Sequence, residues 1–473
     1  MQIKRIFSIY FVLFAAVFIS LSYIGSDTTD IFAYVSEEKS MNLSAESNAP
    51  GGIVSTADEL NRALGGNHKV KGNTVVLQED VVLDTDIAIQ NTKQRLTLNA
   101  NGKTLSDTVG GYRDISVSSA KLRITGNGSF QIRLCVWDSS VLTIENGDFL
   151  ADKDVYAITR EGKNSGQIST LNINDGEIGG IEAGAVNTLH INVKGGTVNQ
   201  IALSEAEDNV YDPDDNLSSA QPHELVISDG NVKKVSLSGF GPKVTLKGGT
   251  IGTGGISEQG TMFDYGRLTV KNGDVIGPVK KINNVTVSGG TLSTVDCDIF
   301  TMTGGTCTGS VKANTFTMKG GLIDSKNDAC AVDISHGAMY GGIIKTHKKN
   351  SYGIRIHEES DLTLTGGKII SAKGNGHSGI MLKGILKKSD YTAKQYDILL
   401  QALSRGKINL KGTKGKTFQI TGFKYSVYQP FVGITAIADH TKVHLPSIQK
   451  AAYVKGQKIP RLLKGDMKIL FFE

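Results

Sequence analysis

The sequence predicts an all-β solenoid of stacked parallel strands, and three observations support this. Glycine is frequent and proline is rare, with 56 and 8 copies among 473 residues. One eight-residue pattern recurs eleven times between residues 142 and 369. The spacing between successive copies is irregular, so loops of different lengths separate similar units. Because a unit this short cannot bury its own apolar face, the copies must stack on one another.

Each copy predicts a short strand, a tight corner and the start of a second strand. The pattern alternates apolar and polar positions, which is the period of a strand. It then places a glycine after Gly, Asn or Asp, as a backbone that turns a corner at positive φ requires. At about 22 residues per coil, residues 75 to about 385 are expected to hold roughly fourteen coils, and a rise of about 4.8 Å per coil makes a rod about 65 Å long. The corner glycines are Gly147, Gly176, Gly196, Gly230, Gly249, Gly273, Gly290, Gly305, Gly321, Gly342 and Gly367.

The segment 1–33 predicts a secretory signal peptide. Lys4 and Arg5 precede an apolar run over residues 6–24, and Ala33 ends a small-residue cleavage motif. Residues 34–50 are expected to form a disordered linker. The remaining chain is therefore expected to be secreted and extracellular, in association with the cell surface. An apolar run of about 20 residues also fits an uncleaved anchor helix, which is the alternative for this segment.

The next segment predicts a capped entry into the solenoid. Thr56 and Glu59 form a capping-box pair at the start of a short amphipathic helix, and Gly65 and Gly66 close it. Alternating apolar residues between 75 and 105 predict the first coils. This order of features resembles the single-stranded, right-handed parallel β-helix of the pectin-lyase-like superfamily. The resemblance implies that fold with an N-terminal cap helix, but no single activity, because the superfamily includes lyases, glycoside hydrolases, adhesins and phage spikes.

The resemblance gives a β-helix domain at residues 51–445, and two further features lie near its end. Residues 388–405 carry apolar side chains at helical spacing before Gly406, which predicts a helix inserted at about 387–405 in the C-terminal region. Residues 446–473 form a basic C-terminal segment. Within 441–473, seven Lys and Arg residues accompany two acids. Electrostatic attraction to an anionic cell-wall polymer or membrane is the role expected of such a segment.

Composition excludes several classes of protein. The chain is 39% apolar and carries a formal net charge of +5, from 51 basic and 46 acidic residues. It is therefore neither a disordered chain nor a strongly basic nucleic-acid binder, and no nucleic-acid partner is expected. Four cysteines are too few for a disulfide scaffold and lack the spacing of a metal site. Most of them are expected to be small buried apolar side chains.

A column of charged residues is the first candidate site. Alignment of the coils on their corner glycines places Asp296, Lys312, Asp333 and Arg355 at equivalent outward positions. One interpretation is cross-strand pairing of opposite charges on a solvated face. The other is catalysis, because the nearby Ser335-His336-Gly337 and Arg355-Ile356-His357 resemble motifs of polygalacturonase-type glycoside hydrolases. The candidate catalytic residues are Asp296, Asp333, His336, Arg355 and His357.

The catalytic interpretation departs from the pattern of that family. The family places an Asn-Thr-Asp motif and a pair of adjacent aspartates on coils before the histidine, whereas the preceding acids here are Asp324, Asp328 and Asp333, with no adjacent pair. Inverting hydrolysis needs two carboxylates about 6.5 to 9.5 Å apart. Asp296 and Asp333 are expected on coils two rungs apart, and the strand spacing separates such coils by about 10 Å.

An acidic loop is the second candidate site. It lies in the longest gap between copies of the repeat and supplies clustered oxygen ligands of the kind Ca²⁺ prefers. The alternative is a solvated turn, because Asp, Asn and Pro also favour turns. No other cofactor is expected. The candidate calcium ligands are Asp208, Asp212, Asp214 and Asp215.

These features predict a secreted or surface-displayed bacterial binding protein of adhesin type. Its expected partner is a polysaccharide or glycoconjugate, or an anionic cell-wall polymer. The alternative is a polysaccharide lyase or glycoside hydrolase that acts on the lateral face of the β-helix. An outward column of Thr and Asn in the repeat is attributed to β propensity rather than to an ice-binding array, because the next column is charged and irregular.

Overall fold

The structure is a computed structural model, and its described part belongs to one compact unit within residues 49–473. It describes residues 52–65, 73–90, 92–110, 112–150, 158–159, 167–184, 188–204, 222–239, 241–259, 266–348, 351–364, 367–370, 378–382, 398–400, 407–411, 417–421, 433–437, 442–444, 453–454 and 457–458.

The one helix in these ranges, α1, spans Ala57–Leu64. Thr56 is its N-cap, and its Oγ1 accepts a hydrogen bond from the Glu59 backbone N–H at 3.3 Å. The Glu59 carboxylate accepts in return from the N–H of Ser55, one residue before the cap. Gly65 ends the helix by donating to the Asn61 carbonyl at 2.7 Å. The predicted cap helix is confirmed, with the reciprocal bond shifted by one residue.

The strands form three parallel stacks, named A, B and C in the order in which each coil visits them. Several strands bend through a corner and belong to two stacks, so the stacks join into one continuous sheet of 41 strands within the described ranges. Tyr453–Val454 and Gln457–Lys458 pair separately as an antiparallel ribbon.

Stack A holds the first strand of each copy of the eight-residue pattern, called here an octet. Its members are Ile53–Val54, Thr74–Leu77, Arg95–Asn99, Lys121–Thr125, Val141–Ile144, Ile168–Ile173, Thr188–Val193, Glu224–Ile227, Lys243–Leu246, Arg267–Val270, the second halves of Val279–Val287, Val295–Met302, Val311–Met318, Cys330–Met339 and Tyr352–Leu364, then Lys407–Lys411 and Gly433–Ile437.

Stack B follows the glycine corner. Its members are Val81–Leu83, Thr104–Asp107, Ser129–Gln131, Asp148–Phe149, Glu177–Ile178, Thr197–Val198, the first halves of Asn231–Ser238 and Thr250–Glu258, then Asp274–Val275, Thr291–Leu292, Thr306–Cys307, Leu322–Ser325, Ile343–Thr346, Gly367–Ile370, Thr417–Thr421 and Lys442–His444.

Stack C completes each coil. Its members are Ile87–Gln90, Asp114–Ser118, Arg133–Trp137, Ile158–Thr159, Ile181–Ala183, Ile201–Ser204, the second halves of Asn231–Ser238 and Thr250–Glu258, the first halves of the five long strands shared with stack A, then Ser378–Leu382 and Ile398–Leu400.

The core lies between the three stacks and consists of in-register columns of apolar side chains. Phe130 and Phe149 are partners on adjacent rungs of stack B, with ring centroids 4.3 Å apart. Phe300 and Phe316 stack in the same way in stack A at 5.8 Å. All four rings are fully buried. Burial of this kind contributes roughly 25 cal/mol per Å² of apolar surface, which is what holds coils of unequal length together.

All eleven corner glycines predicted from the repeat have positive φ, between 68° and 115°. Gly290 shows why glycine is needed, since a Cβ there would lie 2.3 Å from the carbonyl oxygen of Gly273 on the neighbouring rung. The corners therefore combine a left-handed backbone with close contact between rungs. The predicted strand–corner–strand unit is confirmed.

The four cysteines are free and buried, which confirms the predicted burial of most of them. Burial raises the pKa of the Cys307 thiol to about 12 and that of Cys330 to about 12. Burial also raises the pKa of Cys297 well above its ordinary value. These thiols are apolar filling of the core.

The helix predicted at about 387–405 is wrong where the structure describes it. Residues Ile398–Leu400 form a strand of stack C, in register with Ile380, Met381 and Leu382 of the previous rung. The rest of that segment lies outside the described residues, as do residues 1–51 and most of 446–473. Across the described ranges, no helix is long and apolar enough to cross a membrane.

Candidate functional site

The predicted charge column lies on the outer face of stack C. Asp296, Lys312, Asp333 and Arg355 are register partners on consecutive rungs, as expected, and Lys280 precedes them in the same column. The Lys312 Nζ lies 3.4 Å from the Asp296 Oδ1. Arg355 donates a hydrogen bond from Nη2 to the Asp333 Oδ2. The column, named here the charge ladder, therefore contains two ion pairs, and acidic and basic side chains alternate along it.

The two ion pairs differ in their contact with solvent. The side chains of Asp296 and Lys312 are 48% and 65% exposed, so water screens their attraction. The side chains of Asp333 and Arg355 are only 11% and 30% exposed. The second pair is therefore the stronger electrostatic contact of the ladder.

The two candidate carboxylates lie two rungs apart. A separation of about 9.6 Å follows from the strand spacing, at the upper limit for inverting hydrolysis. Lys312 occupies the rung between Asp296 and Asp333. A substrate that used both acids would therefore have to contact an ammonium group between them. Catalytic roles for these two residues stay predictions.

The histidines lie away from the ladder. His336 belongs to stack A, in register with Thr315 and Asp361, on the strand that turns the corner after Asp333. His357 lies in the backbone of Tyr352–Leu364, between its stack C and stack A portions, and its side chain is outside the described part. The fold thus places Asp296, Asp333 and Arg355 in one column and the two histidines beyond it.

The predicted calcium loop lies outside the described residues. Within the ranges that the structure describes, no group of three or more His, Cys, Asp or Glu side chains is placed to hold a metal ion. The calcium site therefore stays a prediction for Asp208, Asp212, Asp214 and Asp215.

The outer face of stack A carries three columns of side chains in register. Its middle column is rich in hydroxyl and amide groups, and the Asn192 Nδ2 donates to the Asn172 Oδ1 on the next rung at 3.1 Å. From the N-terminal end the middle column is Thr97, Arg123, Thr143, Asn172, Asn192, Val226, Thr245, Thr269, Thr286, Thr301 and Thr317.

The two flanking columns make this face basic. Over the same described rungs, the three columns together hold nine Lys and Arg residues and two Glu residues. The first flanking column is Arg95, Lys121, Val141, Thr170, His190, Glu224, Lys243, Arg267, Asn284, Ile299 and Thr315. The second is Asn99, Thr125, Glu145, Asn174, Lys194, Ser228, Lys247, Lys271, Ser288, Thr303 and Lys319.

The two glutamates are each paired with a neighbouring cation. The Glu224 Oε1 lies 3.1 Å from the Lys243 Nζ. The Glu145 carboxylate accepts from the Asn174 Nδ2 at 2.7 Å and from the Arg123 Nε at 2.8 Å. These contacts, the Asn174 hydrogen bond first, hold the pKa of Glu145 below its ordinary value. The acids of this face are thus neutralised by part of its cations.

Four cations on two adjacent rungs form the most basic part of the face, named here the cation cluster: Lys243, Lys247, Arg267 and Lys271. Lys243 is the register partner of Arg267. The Lys271 N–H donates to the Leu246 carbonyl at 2.8 Å, which stacks Lys271 on Lys247. Lys247, Arg267 and Lys271 are exposed, and none of the three forms an ion pair with a described residue.

Sequence reasoning missed this cluster because half of it lies outside the repeat. Lys243 and Arg267 each stand one residue before an octet, at Val244 and Leu268, so a comparison of octets does not include them. A comparison across all copies of the residue that precedes each octet could have revealed these two cations.

A partly buried ion pair near the N-terminal end was also not predicted. Arg133 donates from Nε to the Asp114 Oδ1 at 2.6 Å and from Nη2 to Oδ2 at 3.0 Å. Burial raises the pKa of Asp114, and the Arg133 hydrogen bond acts against this rise. Both residues precede the eleven octets, where no pattern aligns the rungs. The bidentate geometry fixes the register of two adjacent stack C strands.

Comparisons of the chain with protein-family models, with curated proteins and with solved structures find no significant match.

Proposed function

We propose that this chain is a secreted, surface-associated β-solenoid that binds polysaccharide on the outer face of stack A. The observation that supports the proposal best is the composition of that face, where a column of hydroxyl and amide side chains runs between two columns rich in cations. Hydroxyl and amide groups exchange hydrogen bonds with sugar hydroxyls, and cations attract acidic sugars. Export is supported by the N-terminal apolar segment.

The charge ladder supports binding over turnover. Both candidate carboxylates are engaged in ion pairs along the column, Asp296 with Lys312 and Asp333 with Arg355. A ladder of alternating charges also has a sufficient structural role, because each opposite pair across adjacent strands stabilises the sheet.

The proposal includes a distant relationship to the pectin-lyase-like superfamily and its right-handed coil. The parallel stacks and the capped helix at the N-terminal end support this relationship. It carries no activity by itself, since one fold serves many functions.

Binding and turnover can be separated in one experiment. The full chain is incubated with insoluble and soluble polysaccharides, with Ca²⁺ and with EDTA, and retention, reducing ends and absorbance of unsaturated uronate are followed together. Retention without new reducing ends or absorbance is expected.

New reducing ends that disappear in both Asp296→Asn and Asp333→Asn would replace the proposal with a hydrolase on stack C. Absorbance that EDTA removes would replace it with a calcium-dependent lyase. Absence of retention on every polysaccharide would exclude carbohydrate binding.

A further inference from the structure

Stacks A and C distribute charge in opposite ways. In the charge ladder, each cation faces an acid on an adjacent rung. In the cation cluster, Lys243 faces Arg267 and Lys247 faces Lys271, so like charges lie on adjacent strands about 4.8 Å apart. Like charges directly opposite each other destabilise a sheet. The same fold therefore alternates charges on stack C but keeps a destabilising arrangement of like charges on stack A.

We infer that the cation cluster binds an anionic polysaccharide, an inference that rests on the proposed function and names its ligand class. Lys243 and Arg267 each begin a strand, and Lys247 and Lys271 each follow the last residue of the same strand, four residues later and about 13 Å away. The cluster thus presents two pairs of stacked cations on either side of Thr245 and Thr269. Carboxylate, sulfate or phosphodiester groups of one polymer chain can contact both pairs while sugar hydroxyls contact the threonines.

The surroundings of the cluster favour this occupant. Glu224 is the one acid in the three columns on the neighbouring described rungs, while Asp229 lies at the glycine corner of one of these rungs and Asp274 follows the corner on stack B. The described outward side chains of the cluster and the rungs that flank it include no aromatic ring. Proteins that bind single-stranded nucleic acid stack bases on aromatic rings, and membrane-surface binding needs exposed apolar groups. The face offers charge and hydroxyl groups.

The test measures binding of the full chain to four probes over a series of salt concentrations. The probes are polygalacturonate, dextran sulfate, a glycerol-phosphate polymer and neutral dextran, with duplex DNA as a fifth arm. The variant is Lys247→Gln/Lys271→Gln. Its matched control is Lys233→Gln/Lys326→Gln, which removes two exposed lysines outside both the face of stack A and the charge ladder. Thermal unfolding of each variant shows that the fold is retained.

The expected result is tighter binding to at least one polyanionic polysaccharide than to neutral dextran, with the preferred probe identifying the acidic group. The variant should bind about tenfold more weakly and show a shallower salt dependence, because two exposed charge contacts with the polymer are lost and salt screens such contacts. The control should bind as the parent chain does.

Four outcomes would overturn the inference. Polyanion binding that the variant leaves unchanged would place the ligand elsewhere, and the proposed function would stand. Binding of neutral dextran alone would reject the ligand class while carbohydrate binding survives. Duplex DNA bound more tightly than every polysaccharide would make nucleic acid the occupant. Absence of binding to any polysaccharide would reject the proposed function as well.

Discussion

Asp333 and Arg355 pair across adjacent rungs of stack C, with the Asp333 side chain only 11% exposed. This contact is compatible with both interpretations of the two residues, since a mostly buried ion pair can hold rungs in register or can form part of a catalytic centre. A change in either residue affects stability whichever interpretation is correct. Loss of activity in a variant of this pair is therefore informative only with a measurement of stability.

Arg355→Met should lower the free energy of unfolding by about 2 kcal/mol, the scale for losing a hydrogen bond to a charged group. The reason is that a mostly buried carboxylate loses the cation that lies against it. Lys312→Met is the matched control on the same ladder, and its exposed pair with Asp296 should cost less than about 1 kcal/mol. Urea unfolding of both variants checks this. Equal costs would show that the burial of Asp333 contributes nothing to the contact.

Gly290→Ala should destabilise the fold by about 3 kcal/mol, the upper end of the strain stored in a left-handed residue. Gly290 has φ of 70°, and the added Cβ would meet a backbone oxygen of the neighbouring rung at 2.3 Å. Gly110→Ala provides the control, because Gly110 has φ of 77° with no atom within 4 Å of the added Cβ. It should cost about 1 kcal/mol from backbone conformation alone. If the two variants have the same unfolding midpoint, contact between rungs does not constrain the corner.

The repeat predicts the local architecture well because one position in it has a strict steric requirement. Gly290 and the other corner residues can be recognised from sequence, since all have positive φ and a Cβ would meet the neighbouring rung closely at most of them. Once the corners are aligned, the pleat decides which side chains point inward. The columns of stack C follow directly, and Asp296 and Lys312 are partners as expected.

Two features could not be obtained in this way. The run Ile398–Leu400 fits a helix or a strand by its apolar pattern, and pairing with Ile380–Leu382 decides between them. The cation cluster depends on Lys243 and Arg267, which meet only because the segment that joins their two octets does not shift the register. Charges that are distant in sequence become neighbours through stacking, so their balance cannot be assessed along the chain.

The buried cysteines should not react with thiol reagents in the folded protein. At about pH 8 an exposed cysteine is partly ionised, whereas Cys307 and Cys330, with pKa values of about 12, remain protonated and shielded. The folded chain should therefore show no fast labelling, and all four thiols should react after unfolding in urea. Thr303→Cys adds an exposed thiol on stack A as a positive control. A native cysteine labelled as fast as that control would contradict the buried placement.

Glu145 should make the stability of the N-terminal coils depend on pH. The Asn174 hydrogen bond, with Arg123, holds the pKa of Glu145 below its ordinary value of 4.5 in the folded state. The unfolded chain then binds this proton more readily. The stabilisation is therefore present above pH 4.5 and is lost as the pH falls through the folded-state pKa. Asn174→Ala should remove much of this dependence, because it removes the largest cause of the lowered pKa.

Asn172→Ala is the control, since Asn172 bonds to Asn192 instead. Urea midpoints between about pH 3 and pH 6 compare the parent and both variants across the range where carboxylates titrate. If Asn172→Ala flattened the profile as much as Asn174→Ala, the effect would come from general loosening of stack A rather than from Glu145.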